Sequence, residues 1–184
     1  MSQTISLESF ATLVDAPGET VRTLLKRDLA PIPRNPKPQH GGRGRSYDAE
    51  DVAAWVAFEA LRDAGLAPRP AARAVRQSGV GAAFAHALEH NPPAAHAMCL
   101  LLRRIRDPLS DRVLDLVEVG EAATARRYMA AGAIDRALPD REQLLGLTVI
   151  PLMAHWQAAV QRAAGLPIPW SQLGLPEPGA ATDV

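Results

Sequence analysis

A mainly α fold is what this 184-residue chain predicts, and three observations carry that expectation. Apolar residues recur at helical spacing through most of the chain, beginning with Leu7, Phe10, Leu13 and Val14. One stretch breaks the rhythm, with prolines at Pro31, Pro33, Pro36 and Pro38 followed by Gly41-Gly42-Arg43-Gly44. Cationic residues flank and fill that break: Arg22, Lys26, Arg27, Arg34, Lys37, Arg43 and Arg45 lie between Thr20 and Tyr47 against Asp28 alone. A basic helix, a basic hairpin and a capped helix in that order have the layout of a winged helix-turn-helix with a small β wing. An all-helical dimerisation or effector domain is expected to follow.

Ser6 is placed to cap a first helix over 7–14, since its hydroxyl can accept from the free N–H groups of the first turn. Asp15-Ala16-Pro17-Gly18 is a tight break. After it, Val21, Leu24 and Leu25 resume an apolar stripe while Arg22, Lys26 and Arg27 take other faces, giving a second, amphipathic helix. Asp48 with Asp51 three residues on forms a capping pair for a third helix, buried through Val52, Trp55, Val56 and Leu61 and closed at Gly65. A fourth helix over 68–77 then runs into Ser78-Gly79-Val80-Gly81. That glycine pair marks a boundary, so the chain divides into a DNA-binding unit (1–79), a helical dimerisation and effector unit (80–165) and a proline-bearing tail (166–184). Only helices are expected in the second unit, over about 82–90, 94–106, 108–119, 121–131 and 141–163, with Pro151 kinking the last.

Composition narrows the class. Hydrophobic residues at 47% and charged residues at 22% suit a soluble globular chain and are too polar for a membrane span. Met1-Ser2-Gln3-Thr4-Ile5 offers neither the basic nor the apolar segment of a secretory signal, which points to the cytoplasm. The single cysteine, Cys99, excludes an internal disulfide. The formal net charge of +0 hides an asymmetry, because the chain from Val80 onward carries 9 Arg against 11 Asp plus Glu. Phosphate binding therefore belongs to the first half.

Arg22, Lys26 and Arg27 are candidates for base edges and phosphates in a major groove, where the arginine fork meets guanine acceptors or phosphate oxygens. Arg43 and Arg45, in a glycine-flanked tip, can approach a phosphate backbone closely. His86, His90, His96 and Cys99 are spaced by four, six and three residues. The i, i+4 histidines could share a face, but Pro92-Pro93 separates them from the rest and no second cysteine completes a ligand set, so no metal and no cofactor are expected. Met153, His155, Trp156 and Trp170 could line a pocket for a small apolar effector, or serve as core and dimer-interface residues. Phosphate-cradling glycine motifs, a nucleophile elbow and paired carboxylates in a plausible cleft are not found, so a binding protein rather than an enzyme is expected.

At Thr20-Val21-Arg22, Leu29 to Arg34, Arg45-Ser46-Tyr47 and Leu61 to Leu66 the sequence resembles the MerR family of transcription regulators, over about residues 5–76. The resemblance implies a recognition helix using Thr20 and Arg22, a post-helix turn carrying Arg34, and a wing pair formed by Arg45 and Tyr47. Leu24 and Leu25 stand where that family has tyrosine and glutamate, and Asp15 replaces its turn glycine. Ala130 to Asp135, Leu138 to Glu142 and the following apolar helix resemble the ligand-binding half of TetR-type regulators. Asn91-Pro92-Pro93 interrupts the long dimer helix of the MerR family, so another dimer interface is required. The function expected is a homodimeric, sequence-specific regulator on a palindromic operator in double-stranded DNA. The alternatives are a phage-type architectural or recombination accessory protein without ligand, and an interaction module for an acidic partner.

Overall fold

The computed structural model describes residues 4–33, 46–107, 109–135, 143–166, 168 and 170, with no side-chain description for 131–135. In order these form α1 (Leu7–Leu13), α2 (Gly18–Lys26), α3 (Ala49–Asp63), α4 (Pro68–Ser78), α5 (Val80–His90), α6 (Pro92–Ala97), β1 (Met98–Asp107), β2 (Arg112–Glu121), α7 (Ala122–Asp135), β3 (Gln143–Pro151) and α8 (Leu152–Arg162). Among the described residues no helix is long and apolar enough to cross a membrane.

The first three helices begin and end as their sequences dictate. Ser6 accepts from Ser9 N–H at 3.2 Å, and Asp48 and Asp51 complete a reciprocal capping box. At their C-termini α1, α2 and α3 share one device: a left-handed residue follows the helix, and the next N–H reaches back five residues. These bonds run from Ala16 to Ala11, Leu29 to Leu24 and Leu66 to Leu61, at 3.0, 2.9 and 3.0 Å. The left-handed residues are Asp15 (φ 52), Asp28 (φ 55) and Gly65 (φ 94). Aspartate enters this region more readily than most side chains, so the helix-turn-helix turn closes without the glycine expected there.

The central element is α3, buried at ten of its fifteen residues, which a helix reaches only when covered on nearly every side. Phe10 from α1 stacks on Tyr47 at 4.0 Å and meets Trp55 edge-on at 5.4 Å, and Trp55 in turn meets Phe58 at 5.7 Å. Helices α4, α5 and α8 pack on the other sides. The crossing with α5 is closest at Gly81, where a Cβ would sit 2.7 Å from Ala54 Cβ and 2.8 Å from the Glu50 carbonyl oxygen. The division expected at Gly79 falls at a left-handed residue (φ 65) between α4 and α5. Burial does not stop there: one hydrophobic cluster runs from Ile5 through α3 and α5 to Trp156, Ile168 and Trp170. The first residues of the tail are thus docked in the core.

The second half corrects the expected all-helical domain, and with it the mainly α class: the fold is mixed α and β. Strands β2, β1 and β3 form an antiparallel sheet in that order, with β1 in the centre. Leu100 and Leu102 of β1 and Ile150 of β3 join the main core, while Cys99 and Leu101 pack with Ala125 and Tyr128 of α7 and with Leu147 of β3. The helices expected over 94–106 and 108–119 are overturned by β1 and β2. Cys99 to Leu102 is apolar on both faces because the central strand is covered twice, and such a run cannot be told from a buried helix by periodicity. The helix expected over 141–163 is likewise divided, and Pro151 ends β3 instead of kinking a helix. Among the described residues, the second half is therefore not the all-helical unit expected.

Replacing Gly81 by Ala should destabilise the fold by about 1–3 kcal/mol, because the contacts it meets are a buried Cβ and a backbone oxygen that cannot swing away. Gly165 to Ala, with nothing within 4 Å of its Cβ, should stay within about 0.5 kcal/mol. Urea unfolding of the two variants checks the contrast.

Candidate nucleic-acid interface

Helix α2 is held by one fully buried residue, Val21, with Leu24 and Leu25 half-buried beside it. At about 100° per residue, Arg22, Lys26, Glu19, Thr23, Arg27 and Thr20 occupy the opposite arc, and all six are exposed. Thr20, Arg22, Lys26 and Arg27, expected as DNA-contacting residues, are therefore brought together on one face. Glu19, the acid of that face, is ion-paired with Arg22 one turn away. Leu24 and Leu25 point inward, which accounts for apolar side chains where the MerR pattern has polar ones.

The chain leaves α2 through Asp28, Ala30 and Pro31 and is next described at Ser46. Arg34, Arg43 and Arg45, with the expected wing strands, lie outside the described residues. The stalk of that segment is anchored by an isolated antiparallel bridge between Ile5 and Tyr47, with N–H to oxygen distances of 2.8 and 3.1 Å. Tyr47 was expected to face DNA. Its ring is 1% exposed and stacked on Phe10, so this side chain holds the base of the segment and does not reach the surface.

A cationic stripe not anticipated from the sequence lies on α4. Arg69, Arg73 and Arg76 follow at i, i+4 and i+7, all exposed, with no acid in the helix, while Ala71, Ala72 and Val75 turn inward. Arg76 donates to Asp28 at 2.6 Å, which joins this stripe to the C-terminal end of α2. The signal was available as three arginines at helical spacing opposite an apolar face.

The remaining candidates do not converge. Trp156 is buried in the core, edge-on to Phe84 at 6.0 Å, and Trp170 is buried as well. Met153 packs half-buried against the same cluster, whereas His155 lines a shallow polar cleft with Asp15, Glu59, Asp63 and Arg162. These residues do not form one effector pocket. His86 and His90 stack at 4.5 Å on the surface of α5, His96 is exposed on α6, and Cys99 is buried in β1. Among the described residues no group of three metal-type side chains is assembled.

The cleft beside the helix-turn-helix carries one perturbed group. Burial pushes the Glu59 carboxyl above the usual carboxylate range, against the pull of the Arg62 guanidinium 3.2 Å away. On the far side of the sheet, Tyr128 donates to Glu118, and Arg103 lies 4.3 Å from the Tyr128 ring centre. No family model matches the chain, and no curated protein is significantly similar to it.

Because the folded Glu59 carboxyl titrates higher than in the unfolded chain, its burial opposes folding only as the pH rises through the raised value, and not below about pH 4. Glu59→Gln should raise the melting temperature at pH 7.5 and leave it nearly unchanged at pH 3.5. Thermal unfolding at the two pH values checks the sign.

Proposed function

We propose that the chain is a sequence-specific DNA-binding transcription regulator of MerR-like build, acting as a homodimer on a palindromic operator. The observation that carries this reading is the exposed face of α2, where Thr20, Arg22, Lys26 and Arg27 stand together after a helix-turn-helix turn. A helix of this size fits the major groove of B-form DNA, and side chains of this kind meet base edges and phosphates there. On this reading Arg34, Arg43 and Arg45, which lie outside the described residues, meet the sugar-phosphate backbone. The α4 arginines extend the same cationic surface. The working protein is cytoplasmic, where such operators lie, and acts by binding and not by catalysis.

Selection of bound fragments from random or genomic DNA should return a palindromic motif. On that motif Arg22→Ala should lose about 1–3 kcal/mol of binding and relax the preference at one base pair per half-site. Arg45→Ala and Arg73→Ala should each weaken all sequences alike and lower the slope of log affinity against log salt by about 1 per half-site. Recovery of no motif, with Arg22→Ala binding as the parent does, would remove the operator reading.

A further inference from the structure

We propose that two copies of this chain join through the outer edges of β2, antiparallel about a two-fold axis at Asp115, making one continuous six-stranded sheet. The inference rests on the homodimeric reading and supplies the interface that the interrupted dimer helix lacks.

Strand β2 is ten residues long and, among the described residues, forms an edge of the sheet, paired on one side only by β1. Long edges carry unmet backbone N–H and C=O groups and are usually blunted or covered. The exposed large apolar side chains of the described residues are Leu109, Val113, Leu114, Met129, Leu145 and Val149. Every one belongs to the sheet, its hairpin or α7, and none to the helical body that presents α2. Val113 and Leu114 of this set lie on β2 itself, and exposed apolar side chains on a long edge strand invite pairing with another chain.

The sequence of β2 identifies the occupant as a second copy. Residues directly opposite in an antiparallel ladder share a face, so a two-fold axis normal to the sheet permits only registers that join residues of like parity. With the axis at Asp115, Arg112 lies opposite the partner's Glu118, Val113 opposite the partner's Val117, and Leu114 opposite the partner's Leu116. Each of these pairs occurs twice. Moving the axis to Leu114 sets Val113 against Asp115 and Arg112 against Leu116, and moving it to Leu116 sets Leu114 against Glu118 and Asp115 against Val117. Only the Asp115 register matches apolar with apolar and cation with anion, the partner's Glu118 meeting Arg112 with the part of its carboxylate left exposed by its own Tyr128 and Arg103. The two aspartates that meet at the axis are each already held by Arg104 of their own chain, at 2.8 and 3.2 Å, which offsets their repulsion. The resulting interface is isologous and closes at two copies, by strand addition at an open sheet edge.

The test uses the full chain. Asp115→Cys should form an inter-chain disulfide almost completely under mild oxidation, because the two Cα atoms would lie about 4.5–5.5 Å apart. Leu109→Cys should not, since in this register its copies lie in hairpin turns more than about 20 Å apart. By sedimentation, Arg112→Glu should weaken the dimer on the order of tenfold, and mixing it with Glu118→Arg should restore association as a heterodimer. A dimeric protein that selects a palindrome, yet neither cross-links at 115 nor responds to Arg112→Glu, would overturn this interface and leave the operator reading standing. Cross-linking at 115 in a protein without DNA sequence preference would do the reverse. A chain that is monomeric both free and on DNA would overturn the pairing outright, as would equal cross-linking at 109 and 115.

Discussion

The burial of α3 on nearly all sides is the constraint on which the rest of the structure depends. Seven consecutive apolar residues from Val52 to Phe58 circle the helix, so no orientation can put all of them on one face and neighbours must close over several sides. Full burial of a side chain such as Phe58 or Leu61 is worth about 1.5–3 kcal/mol, and α3 contributes many. What covers it is thereby fixed in place: α1 through Phe10, the Ile5–Tyr47 bridge through Tyr47, α5 through the Gly81 crossing, and α8 along a third side. The cationic helix and the sheet-bearing half are positioned against the same post, which is why a single core runs through both.

Against that post, α2 is anchored shallowly. One fully buried residue and two half-buried leucines hold it, leaving nearly half its circumference in water. Its ends are set by backbone geometry instead of deep packing, through the left-handed aspartates at 15 and 28. The ion pairs at its surface, Arg22 with Glu19 and Arg76 with Asp28, are exposed and worth at most about 1 kcal/mol each. They keep the cations from drifting while costing little to exchange for a phosphate, whose charge-assisted bonds are stronger.

The described helices of the first 80 residues were legible because local signals mark several of their ends. Ser6, Asp48 with Asp51, and Gly65 are local signals that need no knowledge of the rest of the chain, and the structure uses all of them. The basic face of α2 was legible for the same reason. Tyr47 was not: an aromatic next to an arginine in a wing reads as a contact residue, and only the tertiary stack on Phe10 turns it inward. The sheet was missed because its signal is divided between two faces. Val113, Asp115, Val117 and Val119 share one face of β2, and Leu114, Leu116 and Glu118 the other, so both faces are partly apolar and no clean alternation survives. The Val-rich composition of that strand was the usable sign. Leu144 to Ile150 merges with α8 into one long apolar stretch, and the only mark of the change from strand to helix is Pro151.

That junction at Pro151 also joins the two ends of the molecule. Strand β3 passes into α8 without a linker, and α8, a helix of about 16 Å by its eleven residues, ends where Arg162 donates to the Leu13 carbonyl oxygen at 3.3 Å. Leu13 is the last residue of α1, immediately before the turn that aims α2. A helix of this length is stiff, and α3 packs along it. In a dimer joined at β2, the spacing of the two α2 helices would then be set by sheet geometry, and successive major grooves on one side of DNA accept only a spacing near 34 Å. Regulation in such a molecule needs no pocket among the helices: whatever alters the twist of the shared sheet alters the fit of both recognition helices at once.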